Sequence, residues 1–245
     1  MDKDNIKHII KTVTTGKDII PGIHNYCDRW CERCTHTSHC SVFKIEQEMS
    51  SSNEELDVQN EKFWNSLSEM FKATAELLQE AMREFNVNPD MEIPADDFIS
   101  KSISSEMVVI SRGYALDVAK WLDSQRDLIL ERFNILANIN AGSASQFSET
   151  VDVIQHYFML VATKTYRASL VFDDDNDETD DARGSAKVTI IVIERSISAW
   201  SVLLNHFQLK EDDILHFLKT LSQIKRFVLV AFPTAMEFKR PGFDD

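Results

Sequence analysis

Apolar side chains recur every three or four residues in five stretches of this chain, the spacing that places them on one face of a helix. The first stretch carries Phe63, Leu67, Met70, Thr74, Leu77, Ala81 and Phe85. Ser52 or Asn53 is its expected cap, with Glu54 and Glu55 in the first turn, and Asn88-Pro89 its expected stop. The second runs from about Ser105 to Ala137, with Ala115, Leu122, Ile129 and Leu136 at intervals of seven and Tyr114, Val118, Trp121 and Leu128 beside them. The third begins near Ser148 and carries Ile154, Phe158, Val161, Thr165, Ala168 and Phe172. The fourth runs from about Ser185 to Phe207, and the fifth follows Lys210 with Ile214, Phe217, Leu221, Ile224 and Val228.

One run admits two states. KVTIIVI, residues 187–193, is β-branched and would suit a buried strand. Helix is the expected state, because Ile190, Ile193, Ile197, Trp200, Leu204 and Phe207 continue the helical spacing and no other segment offers a strand partner. AGSAS, residues 141–145, reads as a small-residue break between the second and third helices. DDDNDETDD, residues 173–181, reads as a solvated acidic loop whose Asp180 or Asp181 caps the fourth helix. The expected fold is all-α: a bundle of four to five long helices over residues 51–245, preceded by a small cysteine-rich metal-binding segment over residues 1–50.

Composition agrees with that architecture. Six Gly and five Pro in 245 residues are few punctuators, and sandwiches or barrels need many turns. The net charge is −14, and it is unevenly spread: residues 1–47 sum to +1 and the remainder to −15. A body so acidic repels nucleic acid and anionic membranes alike, so neither is an expected partner, and an unknown protein partner is left open. MDKDNIKHII has no apolar core of a leader sequence. The most apolar run, VTIIVIERSISAWSVLL, is interrupted by Glu194 and Arg195, so no membrane span is expected. A soluble, cytoplasmic protein is the expectation, and in that compartment clustered cysteines are metal ligands or redox thiols more often than disulfides.

Those cysteines are the main chemical signal. Cys27, Cys31, Cys34 and Cys40 are all the cysteines of the chain and fall within fourteen residues, in the spacing C-x3-C-x2-C-x5-C. Thiolates repel one another, and four of them in so short a segment match a tetrahedral zinc site or a [4Fe–4S] cluster. His24, His36 and His39 are near enough in sequence to replace one cysteine, giving a zinc site of three cysteines and a histidine. The first three cysteines have the spacing of radical S-adenosylmethionine enzymes, which build on a β/α barrel; nothing downstream here alternates strand with helix. The last three resemble in spacing the end of the cluster loop in endonuclease III-type DNA glycosylases, whose basic DNA-binding surface is missing here. Structural zinc supporting an interaction surface is therefore the leading expectation, with a redox or sensory [4Fe–4S] protein, or an enzyme subunit, as the alternative.

A second constellation sits in the helices. His156 and Glu194 each lie among apolar helical neighbours, with Lys164, Arg167 and Arg195 close in sequence. A buried charge must be paired, so His156 and Glu194 are either a polar site inside the bundle or an ordinary ion pair or exposed groups. The chain has no E-x-x-H for a di-iron site. From Asp173, the sixth and twelfth positions are Glu178 and Gly184, which fails the calcium-loop pattern. No P-loop, dinucleotide fingerprint, H-E-x-x-H or G-x-S-x-G occurs, and no catalytic residue can be named.

Overall fold

The computed structural model describes residues 2–49, 60–87, 105–170 and 180–244. They contain eight α-helices and no strand, so the all-α expectation holds. The chain forms two compact units: Met1–His24, Arg29–Ile93 and Pro241–Asp245 make the first, and Asn25–Asp28 with Pro94–Arg240 the second.

The first unit contains α1 (Lys3–Thr14), α2 (Ser41–Met49) and α3 (Glu61–Glu84). α1 and α2 arise in the segment that the periodicity leaves unassigned. Asp2 caps α1 by accepting the Asn5 N–H at 2.9 Å. α1 packs on both α2 and α3, and Ile6 of α1 and Ala73 of α3 are buried. Alongside that apolar contact runs a charge ladder. Lys3 and Lys7 reach Glu76, Lys7 and Lys11 reach Glu80, the last at 2.6 Å. Hydrogen bonds from Lys11 and Lys7 hold the Glu80 carboxyl down at about 2. These pairs are solvent-facing and each contributes little stability; their consequence is that three α1 lysines neutralise two α3 glutamates.

α3 starts at Asn60, whose side chain accepts the Lys62 N–H at 3.0 Å. The expected caps Ser52 and Asn53 lie outside the described residues, as does Asn88-Pro89. The helix stops earlier than expected, because Asn86 adopts φ 52° and the Val87 N–H turns back to the Met82 carbonyl at 2.9 Å. That is the left-handed helix stop which asparagine tolerates.

The second unit holds α4 (Glu106–Ser124), α5 (Arg126–Ile139), α6 (Ala141–Ser169), α7 (Asp180–His206) and α8 (Glu211–Ala231). α6 and α7 form its most extensive pairing; α4 packs on α6 and α8, α5 on α6, and α8 on α7. The expected second helix is two helices. Ser124 Oγ takes the Trp121 carbonyl at 3.0 Å, and Gln125 leaves helical geometry before the pattern resumes. AGSAS is not a break but the first turn of α6. The interruption is Asn140 alone, extended at φ −158°, whose side chain accepts the Ser143 N–H at 3.1 Å. Residues 187–193 are helical. Of the acidic tract, residues 173–179 lie outside the described residues. Asp180 and Asp181 form the first turn of α7, where carboxylates oppose the helix dipole favourably, and Asp181 takes a two-pronged bond from Arg167 at 2.6 and 3.0 Å.

α7 is long and apolar enough to cross a membrane by length and composition alone, Glu194 and Arg195 notwithstanding. Half of its most apolar stretch is buried against other helices, as in a core helix. The core beside it is aromatic. Trp200 is fully buried, with ring centroids 5.1 Å from Trp121 and 4.7 Å from Phe217, and its Nε1–H donates to Tyr114 Oη at 3.0 Å.

Candidate metal centre

Within the first unit, the chain leaves α1 through a turn at Thr15–Ile19 and enters α2 at Ser41. The exit and the entry are stitched together. The Ile20 N–H donates to the His39 carbonyl at 3.0 Å, and His39 Nδ1 lies 2.7 Å from the Asp18 carbonyl. A carbonyl only accepts, so Nδ1 carries the proton, and whenever the ring holds a single proton the lone pair is on Nε2. Ile23 is buried, and Gly242, at φ 76°, leaves room for Ile20 and Ile23 where a Cβ would meet them at about 3 Å.

The cysteines fall in tight turns between these points. Cys31–Arg33 is a 3₁₀ turn closed by the Cys34 N–H on the Cys31 carbonyl at 3.2 Å. The His36 N–H points at Cys34 Sγ, 3.4 Å away. Thr37–His39 is a second 3₁₀ turn, closed by the Cys40 N–H on the Thr37 carbonyl, and the Cys40 carbonyl accepts the Lys44 N–H as α2 begins. All four cysteines are half-buried and none is in a disulfide. Cys31, Cys34 and Cys40 belong to the first unit, and Cys27 to the second. Among the described residues, no three His, Cys, Asp or Glu side chains are gathered closely enough to hold a metal ion. The cysteines therefore do not form a ready-made cage in this conformation. Of the three histidines, His36 packs edge-on against Phe243 at 4.8 Å, His24 is half-buried, and His39 is held through Nδ1 by the Asp18 carbonyl. Trp30 lies beneath the Arg33 guanidinium at 3.9 Å.

The second constellation does not assemble as a pair. Glu194 is exposed and bonds Lys225 at 2.7 Å, while His156 is half-buried with Nε2 2.9 Å from the Asp28 carbonyl. Glu194→Ala should accordingly change stability by no more than about 0.5 kcal/mol, read as the denaturant midpoint of the full chain; a loss several times larger would mean that Glu194 has a buried partner. The polar network that does form surrounds residues 25–28. Tyr157 donates to Asp28 Oδ2 at 2.8 Å, Arg195 bonds the same carboxylate oxygen and reaches Tyr157 Oη at 2.6 Å, and buried Lys164 takes the Asn25 carbonyl. Burial, with the Asp28 carboxylate close by, pushes the Tyr157 hydroxyl up to about 12 and keeps it a donor. Buried Lys187 similarly donates to the Phe238 carbonyl at 2.6 Å. These groups anchor two irregular segments, Asn25–Asp28 and the residues around Phe238, to α6 and α7. Asp28, Tyr157 and Lys187 have no motif in the sequence. The available signal is lysine on an otherwise apolar helix face, which demands a partner.

Comparison with known protein families, curated proteins and solved structures finds no match for this chain.

Proposed function

We propose that this protein is a non-enzymatic helical interaction protein whose first unit is fastened by one zinc ion, held by Cys31, Cys34, Cys40 and His39. The observation that carries this reading is the His39 ring. Its Nδ1–H is held by the Asp18 carbonyl at 2.7 Å, leaving Nε2 as the nitrogen with a lone pair. A backbone carbonyl behind a ligating imidazole is a recurrent second layer of metal sites, because it fixes tautomer and ring direction. The His36 N–H directed at Cys34 Sγ adds a donor to one thiolate. Three cysteines and one histidine complete the four ligands that structural zinc takes. The thiols are not gathered in the described conformation, so binding would draw the two 3₁₀ turns inward, and metal affinity and local folding would be coupled. The physical effect is a clamp between the exit of α1 and the entry of α2.

Protein purified without chelator should contain about one zinc per chain by elemental analysis. Cys34→Ser and His39→Ala should both lose it, and Cys27→Ser should keep it. About four irons with matching sulfide, lost on Cys27→Ser and kept on His39→Ala, would replace zinc with the cluster. Metal-free protein whose four thiols all react at once with a thiol reagent would refute any metal reading.

A further inference from the structure

A cavity of about 620 Å³ lies in the second unit, where the end of α7 turns into α8 beside α5. That volume is in the range of small-molecule sites. The turn that shapes it is tight: the Phe207 N–H closes α7 on the Leu203 carbonyl at 3.0 Å, and the Lys210 N–H returns to the Phe207 carbonyl at 2.9 Å. Arg132 of α5, His206 of α7 and Lys210 of the turn line the cavity, with Leu128, Phe207 and Leu209 as its apolar part. No Asp or Glu is among its lining residues.

Charge sets this place apart in a chain at −14. Arg167, Arg195 and Lys225 of the same unit each meet a carboxylate. Arg132 and Lys210, both half-buried, meet none among the described residues. Arg132 instead donates its Nε–H to His206 Nδ1 at 3.2 Å. A guanidinium only donates, so Nδ1 supplies the lone pair. Burial, then the Arg132 charge, holds the His206 pKa below the ordinary histidine value, which favours that neutral acceptor. The bond fixes the guanidinium plane and leaves its two terminal nitrogens without a protein partner among the described residues. Two like charges lining one cavity with no carboxylate between them are stabilised by an anion from outside.

We propose that this cavity binds a small organic carboxylate with an apolar body. The Arg132 fork matches the two oxygens of a carboxylate, and Lys210 supplies a second positive charge. Leu128 and Leu209 take the apolar part. Leu209 is 99% exposed, so a guest lying on it removes apolar surface from water. Glu131, Glu211, Asp212 and Asp213 adjoin these cations in sequence without lining the cavity. Their field opposes polyanions and selects a singly charged guest over a polyphosphate. The cavity lies wholly within the second unit and does not rest on the zinc reading.

Hexanoate serves as the probe. Titration calorimetry on the full chain at low ionic strength should give a Kd of about 1 mM or tighter. Hexanol and hexylamine, which share its chain and lack its charge, should bind at least about tenfold more weakly. Arg132→Gln and Lys210→Gln should each weaken hexanoate at least about fivefold, with helix content by circular dichroism unchanged. If Arg132→Gln does not fold, Lys210→Gln carries the same test. No binding at about 10 mM hexanoate, or an affinity that the folded variants leave unchanged, would overturn the proposal. Hexanol bound as tightly as hexanoate would overturn it too, leaving only an apolar cleft. Hexyl phosphate bound more tightly, and lost with the same substitutions, would overturn the choice of a carboxylate. Cys34→Ser should lose zinc and still bind hexanoate, which keeps failure here distinct from failure of the metal reading.

Discussion

Gly184→Leu is expected to destabilise the protein by about 3 kcal/mol. Gly184 lies in the second turn of α7, and a Cβ built there would stand 2.3 and 2.4 Å from two ring carbons of Tyr26 and 2.8 Å from one of Phe238. The two rings pack on one another at 4.9 Å and sit directly on the glycine. Neither can yield cheaply. Buried Lys164 holds the carbonyl of Asn25, next to Tyr26, and buried Lys187 holds that of Phe238. The intrinsic helix preference has the opposite sign, since leucine is favoured over glycine in a helix by up to about 1 kcal/mol. The sign of the change therefore decides between them. The denaturant midpoint of the full chain should fall, and Tyr26→Ala in the same chain should recover part of the loss by making room. An unchanged or raised midpoint would show that the rings do not rest on α7.

The larger expected effect is that of Trp200→Ala, about 4–5 kcal/mol. Trp200 is fully buried, wedged between Trp121 and Phe217, and its N–H is spent on buried Tyr114. Truncation opens a cavity between α4, α7 and α8 and takes a hydrogen bond from the Tyr114 hydroxyl, whose ionisation burial has already pushed up. Trp200→Phe keeps most of the ring contact and should cost about half as much. The check is the unfolding midpoint with its slope, followed by circular dichroism. A loss under about 1 kcal/mol for Trp200→Ala would mean that the aromatic cluster is not the core of the second unit.

The zinc reading and the exposed face of α3 differ in how far sequence reaches them. Clustered thiols are visible in any one-dimensional reading. The bond that singles out His39 among three histidines comes from Asp18, twenty-one residues earlier, and appears only when the exit of α1 meets the entry of α2. The row on α3 shows a different loss of information. Its helix is apolar over much of its circumference, so the three-and-four spacing of Phe63, Leu67, Met70, Leu77 and Phe85 is compatible with several faces. The fold buries the Ala73 side against α1 and leaves Trp64, Phe71, Leu78 and Phe85 outside.

Sequence by itself determined the helices of the second unit, including residues 187–193, because a period of 3.6 is a local property of the backbone and survives any packing. It also determined the chemistry available, since thiols and imidazoles are fixed by residue type. It misplaced the breaks, reading five small residues as a loop where one extended asparagine cap suffices and missing the interruption at Gln125, because a one-residue break hardly disturbs the period. Only the tertiary structure decided the polar partners. His156 went to the Asp28 carbonyl and Glu194 to Lys225, and two lysines went to backbone carbonyls of segments far away in sequence. The physical reason is that a helical pattern says which residues share a face, whereas the partner of a buried charge is whichever group the packing brings within about 3 Å, and no local period encodes that.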